Sequence, residues 1–354
     1  MARFSTLEAV IPHEPQPSRR APSAGGRLLL AVVLLGATAV AGAAGTLAAA
    51  STTIDSIQRV PGVAAVLSPP SGTVENFLLV GSDSRANSDP LSPDYGGIGS
   101  EADVQGTRSD TIMVLRRDRA TGQAALLSIP RDLWVDIPGR GNSRINSAYN
   151  AGSDGNGPAQ LVQTVQSALS LPVHHYVEVD FSGFKELVDA VGGVEICVWY
   201  PTRDVNTGLN IMEPGCPILD GVQALAYARS RYYEEFREDG EWHVDGTADI
   251  GRTKRQQRFV NTALQTALAR VKANPFEAGE VIASSTSAIR LDDETDVLAA
   301  GASLRTAVGD GLATYSLPVY GDTIDGNAVL LLGDGADAVL AYFRGDGPAP
   351  ALSP

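Results

Sequence analysis

Residues 28–50 form a run of 23 positions without a charged side chain, rich in Leu, Val, Ala and Gly. A helix of that length crosses the hydrocarbon core of a bilayer. Arg19, Arg20 and Arg27 precede the run, and the next basic residue is Arg59. That asymmetry places the N-terminus in the cytoplasm and everything after Ala50 outside. The small residues of "TLAAA" also allow a cleaved signal peptide, but the run exceeds a usual signal core and favours a retained anchor. The expected layout is a Pro-, Ser- and Arg-rich cytoplasmic tail over 1–26 without structure of its own and a transmembrane helix over 27–50. An extracellular tether over 51–75, a folded domain over 76–345 and a short tail over 346–354 follow.

Beyond the tether, short apolar strands alternate with amphipathic helices. Strands are expected over 76–81, 110–116, 123–129, 175–180, 193–199, 225–231 and 312–318. Helices are expected over 157–170, 181–191, 251–273, 276–286, 292–307 and 335–344. The alternation indicates an α/β layered domain with a mostly buried sheet. One long Gly-, Pro-, Ser- and Asp-rich loop, 86–108, interrupts it as a lid or a surface excursion.

The formal net charge of −14 opposes a general nucleic-acid binder. With only three lysines, Lys185, Lys254 and Lys272, the positive charge is nearly all arginine. Cys197 and Cys216 are the only cysteines. Outside a membrane an even count reads as one disulfide, the alternative being two buried thiols. The four histidines lack zinc-type spacing, so no zinc site is assigned.

Candidate chemistry sits at strand ends. "NFLLVGSDSR" ends an apolar strand with Asp83 and Arg85, and polar residues at the carboxyl end of a buried strand are a common site position. Asp83 is either a cation ligand or a turn carboxylate. "RSDTIMVL" sets Asp110 before the next strand, as a second oxygen ligand or as a strand cap paired with Arg108. Two aspartates plus a diphosphate would satisfy Mg²⁺. In "LLSIPRDLWVDIPG" Pro130 ends a strand and presents Arg131, for a ligand or for a surface ion pair with Asp132. Arg144, Asn146, Tyr149 and Asn150 of "RINSAYNAG" are either sugar or phosphate contacts or ordinary loop polars. "LDGVQALAYARSR" carries Arg229 and Arg231. On a strand they would share a face about 6.6 Å apart, a spacing suited to a diphosphate; the alternative is an edge strand with solvated arginines. "ADIGRTKRQQRF" opens a long helix with Asp249 as a cap and Arg252 and Gln256 on one face. The apolar stripe of that helix, which includes Phe259, Val260 and Leu264, reads first as core rather than as a lipid site. No P-loop and no G-x-S-x-G elbow is present.

In order along residues 76–270, "NFLLVGSDSR", "RSDTIMVL", "LLSIPRDLWVDIPG", "RINSAYNAGS", "VDFSGFKELVDAVGGVEICV", "LDGVQALAYARSR" and "DIGRTKRQQ" resemble the successive motifs of the LytR-CpsA-Psr family of cell-wall glycopolymer transferases. The resemblance implies a three-layer α/β/α sandwich around a mixed central sheet, with a hydrophobic pocket for a polyprenyl tail. It implies transfer of a glycopolymer from a polyprenyl-diphosphate carrier to the 6-hydroxyl of N-acetylmuramic acid in peptidoglycan. Asp83 and Asp110 would hold Mg²⁺, or Mn²⁺ in its place. Arg131, Arg229, Arg231, Arg252 and Gln256 would grip the diphosphate, with Arg85 in support. Alanine, glycine and arginine richness suggests an actinobacterial source and, with it, arabinogalactan as the polymer. A diphosphatase acting on the same substrate, or a non-catalytic lipid-diphosphate carrier, would use many of the same residues. The outward topology and the acidic charge oppose a transcriptional regulator.

Overall fold

The computed structural model describes residues 57–83, 109–150, 156–246, 248–273, 288–295 and 312–351. The expected anchor, Arg85, the loop 86–108 and the helix expected over 276–286 lie outside the described residues. Among the described residues no helix is long and apolar enough to cross a membrane.

The first elements are strands β1 (Gln58–Arg59), β2 (Val74–Ser82), β3 (Ser109–Asp118) and β4 (Ala124–Ile129), then the hairpin β5 (Trp134–Ile137) and β6 (Gly141–Arg144). Helix α1 (Gly157–Leu169), strand β7 (His175–Val179) and helix α2 (Phe181–Ala190) follow. Short strands β8 (Val194–Glu195), β9 (Thr202–Asp204), β10 (Leu209–Ile211) and β11 (Ile218–Leu219) lead into helix α3 (Gly221–Arg229). After β12 (Glu234–Phe236) and β13 (Trp242–Val244) comes the long helix α4 (Ala248–Ala273). Strands β14 (Ile289–Leu291), β15 (Ala313–Ser316), β16 (Val319–Ile324) and β17 (Asn327–Leu332) and helix α5 (Ala336–Arg344) complete the described chain.

A seven-stranded sheet with the order β1-β14-β7-β2-β3-β4-β15 forms the centre. It is mixed: β2 runs parallel to β7, while β2–β3 and β3–β4 are antiparallel. Side chains alternate faces along a strand, and both faces are covered. Phe77, Met113, Leu115, Leu126 and Val177 pack in one core with Val188 of α2, Ala224 of α3 and Phe259 and Ala263 of α4. Leu78, Val80, Val114 and Leu127 pack in the other core with Leu161 and Val165 of α1 and Leu340 and Phe343 of α5. Helices on both faces of a central sheet make three layers.

Three expectations change. Residues 225–231 are not a strand: α3 occupies Gly221–Arg229. The Asp220 carboxylate accepts from the Gln223 N–H at 2.9 Å, capping the helix. That cap and an alanine-rich interior favour helix over the alternation of residue types. The folded unit also begins before residue 76, because Gln58 and Arg59 pair with Arg290 and Leu291 and Val63 is fully buried. Residues 292–295, expected to open a helix, form a turn instead. There Asp292 accepts from the N–H groups of Glu294 and Thr295.

Gly221 shows how closely α3 docks on α2. A Cβ at this position would lie 2.4 Å from the Lys185 carbonyl oxygen. Gly221→Ala should therefore destabilise the domain by about 1–3 kcal/mol, the usual cost of overpacking, read from the denaturant midpoint.

A second expectation concerns acid. Buried His174 accepts the Asn76 N–H on Nδ1 at 3.0 Å, which requires a neutral ring. Burial first, then the neighbouring His175, hold its pKa below 6.5. The unfolded chain therefore binds a proton that the native state refuses, so this contribution is present above pH 6.5 and is lost as pH falls below it. Urea midpoints should drop between about pH 7.5 and about pH 5.5, and His174→Gln should flatten the dependence.

Candidate active site

Strands β2, β3 and β4 are antiparallel neighbours, so the end of β2, the start of β3 and the end of β4 meet at one edge of the sheet. The β2–β3 register runs regularly to Gly81↔Thr111 and then shifts, so that Ser82 faces Ser109. Asp110 is the extra residue of that bulge, and bulges re-aim side chains. Asp83, directly after β2, is buried. On β4, Ile129 pairs with Ile112, which brings Arg131 to the same edge two residues later. Arg131 Nη1 donates to Asp110 Oδ1 at 2.6 Å. The pair is only partly exposed, so its charge-assisted bond is stronger than that of a surface pair.

Two helices complete the site. Arg229 is the last residue of α3, and its guanidinium lies 4.5 Å from the centroid of the Phe181 ring, a cation–π contact. Arg231 follows one residue past the Ser230 cap. Helix α4 brings Arg252, which is 4% exposed, and Gln256. The Gln256 amide donates to Thr111 Oγ1 at 2.9 Å and to the Ala228 carbonyl at 3.2 Å, tying α4 both to the bulge strand and to the end of α3.

These residues share one cavity of about 500 Å³. Asp83, Asp110, Arg131, Arg229, Arg231, Arg252 and Gln256 all line it. Its remaining wall is mostly apolar, with Leu79, Met113, Leu126, Phe184, Phe259 and Leu264 among the side chains. One cavity thus joins a cationic end to a greasy one. Two carboxylates facing it offer hard oxygen donors of the kind a divalent cation takes together with phosphate oxygens.

Several readings are corrected by the placement. Arg229 and Arg231 reach the cavity from a helix end and the turn after it, not from alternate positions of a strand. Phe259, Val260 and Leu264 of α4 face the cavity as well as the core. Of the "RINSAYNAG" polars, Arg144 donates to the Ala328 carbonyl at 2.8 Å and Tyr149 to buried Glu178 at 2.6 Å. Asn146 and Asn150 likewise do not line the cavity. The Asp249 side chain lies outside the described residues. The sulfur atoms of Cys197 and Cys216 are 2.00 Å apart, as in a disulfide.

Some lining residues were not singled out in the sequence: Asp180, Asp204, Asn206, Thr207 and Tyr232. Asp180 also caps α2, accepting from the Gly183 N–H at 2.7 Å. A D-F-S-G helix start could have drawn attention to Asp180; the others come from short loops without periodicity.

The profile of the LytR_cpsA_psr family matches residues 43–339, and the chain belongs to that family. It is 36% identical over 273 residues to the Corynebacterium glutamicum protein named "probable cell wall biosynthesis protein LcpB", covering 76% of this chain and 61% of that one. It is 32% identical over 253 residues to an Oceanobacillus iheyensis protein named "polyisoprenyl-teichoic acid–peptidoglycan teichoic acid transferase TagU", covering 71% of this chain and 69% of that one. The chain thus spans less than two thirds of LcpB and just over two thirds of this TagU. Among solved structures, the LytR-Csp2A-Psr enzyme from Actinomyces oris superposes with a TM-score of 0.60 at 23% identity, covering 81% of this chain and 96% of that one. That likeness concerns the fold.

The apolar wall can be tested directly. Val260→Trp places an indole in the cavity and should weaken binding of a fluorescent long-chain alkyl probe by about tenfold or more. Thermal stability should change little, because the ring enters open space.

Proposed function

We propose that the protein transfers a glycopolymer from a polyprenyl-diphosphate carrier to peptidoglycan and releases polyprenyl phosphate. The observation that carries this reading is the single cavity with arginines and carboxylates at one end and apolar walls along the rest. A diphosphate with a long hydrocarbon tail matches both ends at once. The names of the relatives, a cell wall biosynthesis protein and a teichoic acid transferase, support the same reading. We take the acceptor to be the 6-hydroxyl of N-acetylmuramic acid. Following the composition argument, we take arabinogalactan as the polymer and place the catalytic domain outside a membrane anchored through residues 27–50.

In this reading Arg131, Arg229, Arg231 and Arg252 bind the diphosphate oxygens, and Gln256 orients them by holding α3 to the bulge strand. Arg85 belongs to the same group by its motif. The acceptor oxygen forms a bond to the phosphorus nearer the glycan, and the bond from that phosphorus to the bridging oxygen breaks. The electron pair leaves with polyprenyl phosphate. Asp83 takes the hydroxyl proton, through its second carboxylate oxygen where the first binds a cation. Mg²⁺, held by Asp83 and Asp110, would supply neutralising charge to the transferred phosphoryl group. Preorganised guanidinium groups do the same without reorganisation cost at the moment of reaction.

The test combines the full chain in nanodiscs, a labelled polyprenyl-diphosphate glycan, peptidoglycan oligomers and Mg²⁺. Label should move to peptidoglycan, and removal of Mg²⁺ by chelation should stop it. Arg229→Ala and Asp110→Ala should each lower the rate by about 10²–10³-fold, the scale of losing one oxyanion donor. Release of free phosphoglycan without transfer would identify a diphosphatase. Tight binding without turnover, indifferent to Asp110→Ala, would leave only a carrier.

A further inference from the structure

Asp204 ends β9, and its side chain is completely buried although it lines the cavity. Its Oδ2 accepts three hydrogen bonds: from Ser230 Oγ at 2.6 Å, from the Arg231 N–H at 3.0 Å and from the Tyr232 N–H at 3.0 Å. Its Oδ1 accepts from the Asn206 N–H at 2.9 Å. All four partners are donors. An ionised carboxylate is the side chain that accepts at both ends, and bonds to a charged acceptor are about twice as strong as neutral ones. One group therefore knits two segments that are 26 to 28 residues apart in the chain. The first carries Asn206 and Thr207, the second Arg231 and Tyr232, and all four line the cavity.

The second segment is also held from behind. Arg255 Nη2 donates to the Ser230 carbonyl at 2.6 Å, and its Nη1 pairs with Asp245 Oδ2 at 2.9 Å. Ser230 is thus fixed through both its side chain and its carbonyl, between two arginines of the cavity. A backbone pinned at three consecutive residues leaves its side chains few directions.

We propose that Asp204 is a positioning residue for diphosphate binding, setting the backbone from which Arg231 and Tyr232 reach the ligand. This rests on the reading that the cavity binds a prenyl diphosphate. Tyr232 is 61% exposed at the rim, where an aromatic ring on a fixed backbone can stack on the first sugar beyond the diphosphate. Asp204 itself touches four protein donors and acts through the residues it holds.

The experiment uses the full chain in nanodiscs, with farnesyl diphosphate and farnesol as probes. Wild type should bind the diphosphate much more tightly than the alcohol, and Arg231→Ala should remove most of that difference. If wild type shows no preference for the diphosphate, the functional reading fails and the proposal falls with it. Given the preference, Asp204→Asn turns an amide N–H₂ toward an N–H or O–H donor and should weaken diphosphate binding by about tenfold, equivalent to about 1.4 kcal/mol. Farnesol binding should be unchanged. In an Arg231→Ala background the same change should add less than about twofold, because the two act through one route. Ser230→Ala, which removes one bond and keeps the carboxylate, should show a smaller loss of the same kind and serves if Asp204→Asn does not fold. Equal losses for both probes, additive losses with Arg231→Ala, or unchanged diphosphate binding in both variants would overturn the proposal.

Discussion

The hydrogen-bond register of β2, β3 and β4 is the constraint on which the site depends. Antiparallel pairing brings Asp83, Asp110 and Arg131 to one edge of the sheet although up to 48 positions separate them, the difference between 131 and 83. The single register shift beside Gly81 turns Asp110 out of the ladder without ending the strand pairing. A one-residue slip elsewhere in this register would send the core side chains to the wrong faces. Core packing and site geometry are therefore specified by the same pairing. The hydrophobic cost of misregister protects residues that contribute nothing to the core themselves.

The second constraint is what stands opposite that edge. Helices α3 and α4 contribute Ala224, Phe259 and Ala263 to the core on this face of the sheet but leave a cavity beside Phe259 and Leu264. Atoms that line an apolar cavity forgo contacts that a filled core would give them. The hydrocarbon tail of the proposed substrate would restore those contacts and remove its own surface from water at about 25 cal/mol per Å². The charged end then needs to supply orientation more than affinity. Arginine suits that work better than lysine, because its planar fork meets phosphate oxygens two at a time and stays charged at any working pH. Phe181 under Arg229 holds one such fork at little entropic cost.

Much of the site was legible because it sits where elements end. Asp83, Asp110 and Arg131 follow or precede apolar strands, and Arg252 and Gln256 share one turn of an obvious helix. Arg229 and Arg231 were visible as residues but were assigned to the wrong element: a helix buried on most sides shows no clean period, and a single Asp220 cap decides the outcome. For Phe259, Val260 and Leu264 the sequence left core and lipid site as alternatives and favoured core, while the structure places them on the cavity wall as well as in the core. A core stripe and a cavity wall obey the same 3.6-residue period, and they differ only in whether another side chain fills the space opposite. Asp204 was hidden for a different reason. Nothing near it in sequence distinguishes it from a surface turn, and its role is set by donors that arrive from the far end of α3. The β16–β17 hairpin escaped notice because its strands are largely exposed, and the small sheet of β9, β10, β12 and β13 because its strands are only three residues long.

Charge distribution links these scales. The chain carries a formal charge of −14, yet four arginines converge on one cavity. Guanidinium groups crowded together repel one another, and low-dielectric walls strengthen that repulsion. Carboxylates within the same wall offset it. Asp110 does so by direct contact with Arg131, and Asp204 from the backbone side of Arg231. The two aspartates differ in what they can yield. Asp110 is partly exposed and bound through one oxygen, so its partner can be exchanged when a phosphate or a cation arrives. Asp204 is fully buried, and both of its oxygens are committed to protein donors, so it keeps its geometry through the cycle. In the proposed reaction the site would hold a diphosphate and then release a monophosphate, and that use calls for both kinds: one group that trades partners with the ligand, and one that keeps the arginines aimed while the charge in front of them changes.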